Sequence, residues 1–336
     1  MTAPAATVPA ATAPGLGVHA SSLADHRLDV PTALREAAAR GFAACLFGSI
    51  FDLSPRLDPA EIADVNAIAA GQGVRVAVGS VSLHPWRAGA DDRLLAAGDG
   101  DALSGLRRML EASAMLAERD LLTIIGRVED RYDRLIPWAE QLRAAGIMLR
   151  RLAPLLRDAG LRLLVKTHEE ITADEVARLI DQVGDDVVGA ALDPVNLLVN
   201  FDDPGRAADL LAAAVAQVIV DDAVIVFAGG AARRLLCAVG DGIVDWPGVI
   251  ATTRPRAPTW WVELHRGQFT VAPFDPDWIA HHPGLTREAL GEGVRQVCRS
   301  TRELGAGQIK RLYGVQARPA RRLTATATAA RELLAR

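Results

Sequence analysis

Eight short, nearly uninterrupted apolar runs recur along the chain, each followed by a longer segment of helical periodicity. They are 15–23, 43–50, 74–82, 120–128, 161–168, 186–193, 217–225 and 259–265. Strands this apolar must be covered on both faces, which is the pattern of a parallel sheet flanked by helices. Strand–helix alternation joins the strands by right-handed crossovers. Eight such units predict a closed (β/α)₈ barrel of one domain, and 336 residues is an ordinary length for it. A doubly wound open sheet is the rival fold. It is disfavoured because no GxGxxG follows the first run, and "AGG" at 228–230 is a lone glycine cluster.

Helix punctuation agrees with this frame. Pro31 opens and Gly41 closes the first helix. Asp58, Pro59 and Glu61 form a capping-box pattern, repeated by Thr172 and Glu175 before Gly184. Residues 1–14 read as a disordered tail, 15–310 as the barrel and 311–336 as a C-terminal helical extension. The Arg-rich stretch Arg318 to Arg322 reads as part of a solvated tail.

Composition narrows the function. The net charge of −4, with acids and bases interspersed, gives no basic stripe for nucleic acid. There is no signal-peptide pattern and no charge-free run of about 18 apolar residues, so no membrane span is expected. Cys45, Cys237 and Cys298 are widely spaced and form no CxxC, which fits a reducing, cytoplasmic setting without a cysteine zinc site. The expected partner is a small molecule, and a homo-oligomer is left open.

In a barrel, chemistry gathers at the C-terminal ends of the strands. Polar residues collect there: His19, Ser21 and Ser22 after run one, His84 and Trp86 after run three, and Arg127, Glu129, Asp130 and Arg131 after run four. Run five ends in Lys166, His168 and Glu169, run six in Asp193 and Asn196, run seven in Asp221 and Asp222, and run eight in Glu263, His265 and Arg266. A single Asp after a strand is commonly a helix N-cap, and Asp222 could simply start a turn. Joint occurrence at ends five, six and eight points to a polar pocket. Lys166 stands out, because Lys310 is the only other lysine.

"LLVKTHEE", "VGAALDPVNLL", "FDDPGRAADLL", "AVGDGIVDW" and "WWVELH" follow the order and spacing of sugar phosphate isomerase/epimerase-like proteins, the xylose isomerase-like TIM barrels. The resemblance runs from about Leu16 to Arg302. It implies a (β/α)₈ barrel with a divalent metal (Mn, Mg or Zn) assisting isomerisation, epimerisation or lyase chemistry on a sugar-like substrate. The family's usual ligands are a Glu from strand five, an Asp from strand six, a His from strand seven and a Glu from strand eight. Asp193 and Glu263 match the Asp and the last Glu, but Lys166 stands at the first Glu and Ile219 at the His, within Val218-Ile219-Val220-Asp221-Asp222. The four residues sum to −1, where the usual set carries about three negative charges for the cation.

The leading expectation is therefore an enzyme with no cofactor, in which Lys166 takes the metal's place between Asp193 and Glu263. Lys166, His168, Asp193, Glu263 and His265 are its candidate catalytic residues. Glu263 or Asp193 would be the base, His168 or His265 an acid or orienting group, and Lys166 the oxyanion partner. His84, Trp86, Arg127, Glu169, Asn196 and Arg266 are the candidate substrate contacts. Two alternatives stand beside it: a non-catalytic binding protein or pseudoenzyme subunit, and a metal enzyme drawing ligands from Asp221, His265 or Glu169.

Overall fold

A computed structural model of the chain describes residues 15–228, 231–256, 258–267, 269–315 and 319–336. The first seven strands are β1 (Gly17–His19), β2 (Ala44–Phe47), β3 (Arg75–Val78), β4 (Asp120–Thr123), β5 (Arg162–Lys166), β6 (Val188–Leu192) and β7 (Val215–Val220). Then come β8 (Asp222–Ala228), β9 (Ala231–Cys237), β10 (Thr259–Val262) and β11 (Phe269–Val271). Eight of them form one parallel sheet in the order β3-β2-β1-β10-β7-β6-β5-β4. A parallel bridge between Gly79 and Leu122 joins its two edges, so the sheet curls into a (β/α)₈ barrel with the expected topology.

Side chains alternate along each strand, one set facing the helices and the other the barrel axis. The outward set joins the helices in the main core, with Val18, Cys45, Val76, Val165, Val188, Val218 and Val262 among its members. Ala44, Leu46, Ala77, Ile219 and Trp261 form a separate interior cluster. Trp261 fills much of that interior. A Cβ on Gly17 would lie 2.3 Å from its ring, so the small residue on β1 makes room for the large one on β10.

The run 217–225 is not one strand. β7 stops at Val220, and β8 leaves the barrel to pair antiparallel with β9 in a second sheet ordered β11-β9-β8. Asp222 redirects the chain. Its buried carboxylate accepts the N–H groups of Ala223 at 2.8 Å, Gly240 at 3.0 Å and Val244 at 3.4 Å, plus Trp246 Nε1 at 3.2 Å. It therefore organises a turn. Burial still pushes its pKa up to about 6. The helix Arg287–Val315 packs Ile309 against Val224, Val226 and Leu235 of this side sheet. Gly229 and Gly230 of "AGG", and residues 1–14, lie outside the described residues.

The helix Pro319–Ala335 packs Leu323, Ala327 and Ala330 into the main core. Arg322 lies on the inner face of that helix and is 5% exposed. Reading it as solvated was wrong: sequence charge does not show which side of an amphipathic helix faces inward. Arg321 does face solvent, and Arg318 lies outside the described residues. Capping was also partly misread: Thr172 and Glu175 complete their box, whereas Glu61 turns away from Asp58 to accept the Ser54 hydroxyl at 2.6 Å. No described helix is long and apolar enough to cross a membrane.

Candidate active site

The inward set of side chains carries the site. Continued past the strands, the alternation places His19 two residues beyond Gly17, Lys166 beyond Leu164, Asp193 beyond Ala191, Asp221 beyond Ile219 and Glu263 beyond Trp261. A polar layer thus sits on the apolar plug at the C-terminal mouth. Lys166 Nζ lies 3.0 and 2.9 Å from the two Glu263 oxygens and 2.9 Å from Asp193 Oδ2. Burial pulls the ammonium's pKa down, but the charges of Asp193 and Glu263 outweigh it and hold Lys166 above the ordinary lysine value. Burial raises Glu263 and Asp193 in turn. Lys166 and His265 more than reverse this and leave both below their usual carboxylate values.

Asp193 stands at the N-cap position of the short helix Pro194–Leu197 but makes no side-chain cap. Its carboxylate points inward, where Oδ2 also accepts Asn196 Nδ2 at 2.9 Å and meets His265 Nε2 at 2.7 Å. The other His265 nitrogen, Nδ1, lies 3.1 Å from Asp221 Oδ2, which also takes the His265 backbone N–H at 2.8 Å. Burial lowers the His265 pKa, but Asp193 leads the charges that raise it to about 9. Arg322 completes this side, donating from Nη2 to Asp221 Oδ2 at 2.8 Å and to the His265 carbonyl at 2.9 Å.

A second arm runs through β9. The buried Arg234 donates from Nη1 to Asn196 Oδ1 at 2.7 Å and from Nη2 to Glu169 Oε1 at 3.4 Å. His168 is clamped between Glu169, 2.8 Å from Nε2, and Glu170, 2.5 Å from Nδ1. Burial opposes its charge, yet Glu170 and Glu169 raise His168 to about 10. Five cationic groups (Lys166, His168, Arg234, His265 and Arg322) thus face five carboxylates (Glu169, Glu170, Asp193, Asp221 and Glu263), and the formal charges cancel.

Lys166, Asp193, Glu263, His265, Asn196, His168 and Glu169 are therefore brought together. The other candidates lie outside this network. His84 Nε2 is 2.5 Å from Gln141 Oε1, and its ring lies 5.4 Å from that of Trp86. Arg127 is exposed, and its backbone N–H donates to Asp130. Arg266 is exposed and ties down the Ser21 and Ala24 carbonyls at 3.0 and 2.9 Å. Sequence reasoning missed Arg234 and Arg322, which arrive from a side sheet and from the last helix. No local signal marks either.

Ligand atoms of Asp193, Glu263 and His265, and separately of His168, Glu169 and Glu170, lie close enough together to enclose a cation. Their present partners do not fit one. Lys166 occupies the space between Asp193 and Glu263, and both ring nitrogens of each histidine already face carboxylates. Ile219 is packed in the barrel interior with nothing to donate. Asp193 Oδ1 and Asp221 Oδ1 are the buried carboxylate oxygens of this network without a partner among the described residues, too few for a divalent ion that needs several oxygen or nitrogen ligands.

A parallel eight-stranded barrel with a polar centre at its strand ends defines a TIM-barrel protein. The family model described as xylose isomerase-like TIM barrel matches residues 32–264, and the chain belongs to that family. D-psicose 3-epimerase from Clostridium cellulolyticum H10 has a similar structure (TM-score 0.58, 14% identity, 86% of this chain and 98% of that one). So does an L-ribulose 3-epimerase (TM-score 0.55, 17% identity, 87% and 98%). A probable 3-DHS dehydratase from Bacillus anthracis follows at TM-score 0.56 and 13% identity, over 74% and 92%. Likeness at these identities establishes the shared fold. No curated protein matches the chain in sequence.

Proposed function

We propose that the chain is a metal-independent acid–base enzyme. Its reaction moves a proton at the carbon beside a carbonyl in a small polyhydroxylated substrate, giving isomerisation, epimerisation or elimination. The observation that carries this reading is the Lys166 ammonium seated within 3.0 Å of both Glu263 and Asp193. The epimerase and dehydratase names on the similar folds supply the reaction classes.

In this reading the residues of the centre take different roles. Asp193 is fully buried and holds Lys166, Asn196 and His265, which makes it a positioning group. The two histidines, with both nitrogens engaged, position as well. Glu263 has an open edge, its side chain being 18% exposed, and is the base within reach of a ligand. A substrate carbonyl oxygen reaching Lys166 draws the ammonium toward itself. Glu263, partly released, becomes more basic and takes the neighbouring carbon's proton. The C–H electron pair passes into an enediolate whose oxygen Lys166 balances. Reprotonation of the opposite face by solvent gives epimerisation; return of the Glu263 proton to the adjacent carbon, with the hydroxyl proton of the carbon first deprotonated passing to the former carbonyl oxygen, gives isomerisation; and loss of a β-hydroxyl, which leaves as water with the Glu263 proton, gives elimination. One preorganised donor of this kind is worth about 10²–10³ in rate. The raised pKa of Lys166 opposes a Schiff base, which needs the free amine.

One observation favours a second reading. The formal charges of ten paired groups already cancel, as in a binding site that holds a ligand without turnover. Proton exchange in D₂O, followed by NMR across a panel of ketoses with chelator present, separates the two. The enzyme reading expects exchange beside the carbonyl, lost in Glu263→Gln and reduced about 10²–10³-fold in Lys166→Met. Compounds that raise the melting temperature but exchange no proton would place the chain in the second class. Exchange that requires an added divalent cation would overturn metal independence.

A further inference from the structure

We infer that His19 is a second catalytic residue of this centre: as a neutral imidazole, it donates its Nε2–H to the substrate oxygen that Lys166 balances. Calling the role catalytic rests on the acid–base reading above; the placement and tautomer of the ring rest on their own geometry. β1 and β10 run side by side, with Gly17 paired to Trp261 and Val18 to Val262. One step further on, His19 and Glu263 are neighbours on strands about 4.8 Å apart, both in the inward set. Both are only partly buried. Glu263 is thus flanked from two sides. Lys166 reaches it from β5, across the barrel mouth, and His19 adjoins it from the next strand.

The backbone fixes the tautomer. His19 caps the short 3₁₀ turn Ala20–Ser22, its Nδ1 accepting the Ser21 N–H at 3.2 Å. The Ser21 hydroxyl lies 2.7 Å from the same nitrogen. A ring nitrogen that accepts an N–H carries a lone pair, so the proton of the neutral ring sits on Nε2. Burial, helped by Lys166 and His265, keeps the ring's pKa below the ordinary histidine value against the pull of Glu263 and Asp52. Nε2 has no partner among the described residues. His168 and His265 differ, since both nitrogens of each face carboxylates. A cap needs only one acceptor, which Asn, Asp or Ser supplies equally well; histidine adds the second nitrogen. Neutrality suits the place. An imidazolium beside Glu263 would pair with the base and add positive charge to a network whose formal charges cancel. A neutral N–H does neither, and with Lys166 it gives the enediolate oxygen donors from two sides.

Two variants of the full chain test this in opposite directions. His19→Asn keeps an acceptor for the Ser21 N–H and loses the outer donor. His19→Gln keeps a donor near the place of Nε2 and loses the cap. With a ketose whose proton the wild-type chain exchanges in D₂O, His19→Asn is expected to slow exchange about 10²–10³-fold at an unchanged urea midpoint. His19→Gln is expected to stay within about tenfold of wild type, at a lower midpoint. A structural cap alone predicts the reverse order, and that order, or equal loss in both variants, overturns the assignment. Long-range ¹H–¹⁵N correlation of the wild-type ring needs no turnover and no variant that folds. It should show the neutral Nε2–H tautomer near neutral pH; an imidazolium or an Nδ1–H ring overturns the proposal. Exchange that persists in His19→Asn removes His19 and leaves the acid–base reading. A wild-type chain that exchanges no ketose removes that reading, and the catalytic role of His19 with it.

Discussion

Lys166 is the residue on which the site turns. An ammonium 3% exposed is costly to bury, and two carboxylates at 2.9–3.0 Å offset that cost. Removing one partner of such a group leaves the others uncompensated. Lys166→Met is expected to lower stability by about 3–5 kcal/mol in urea unfolding. Adding Glu263→Gln should recover part of the loss, because one of the facing charges is gone. A Lys166→Met protein as stable as wild type would show that the carboxylates do not depend on the ammonium. This trio was legible from sequence. The resemblance to the family's ligand pattern, together with their places at strand ends and the rarity of lysine, marks Lys166, Asp193 and Glu263. Arg234 and Arg322 were not legible, since their partners Asn196 and Asp221 lie 38 and 101 positions away. Long-range pairs leave no periodic trace in one sequence.

At the scale of elements, all eight barrel strands were legible because each is a short apolar run. The break inside run seven was not. β7 and β8 are both apolar, and the turn that Asp222 organises and the pairing of β8 with β9 carry the second half into another sheet. That diversion builds the hairpin that delivers Arg234, much as the last helix delivers Arg322. Arg322→Met is expected to cost about 3 kcal/mol in urea unfolding, the low end for breaking a buried pair, because His265 still faces Asp221. A cost near zero would return Arg322 to the solvated role first read for it. Packing inside the barrel makes a separate prediction. Gly17→Ala pushes a methyl into the fully buried Trp261 ring and should cost about 1–3 kcal/mol by the same measurement.

Across the whole molecule, the network predicts how stability varies with pH. His265 and His168 have folded pKa values raised to about 9 and about 10, from 6.5. Groups raised in the folded state stabilise it in full below their unfolded value, and this is lost as pH rises through the folded value. Asp222, raised to about 6, acts in the same sense at lower pH. Glu263 and Asp193 are lowered, so their contribution is present above 4.5 and 3.8 and lost as pH falls. Urea midpoints measured across pH should therefore be highest in mildly acidic buffer, then decline between pH 6.5 and 10 and again below 4.5. A rise in stability from pH 6.5 to 9 would contradict the paired imidazolium ions.

The central claim is that an ammonium stands where the family's usual site places a dication. It is tested most directly by calorimetric titration of chelator-treated protein with Mn²⁺, wild type beside the Lys166→Glu/Ile219→His double variant, with folding of both confirmed by circular dichroism. The account predicts no saturable binding by the wild-type chain and a one-to-one site in the double variant, abolished by a further Asp193→Asn change. Stoichiometric Mn²⁺ binding by the wild-type chain, lost on Asp193→Asn, would contradict it.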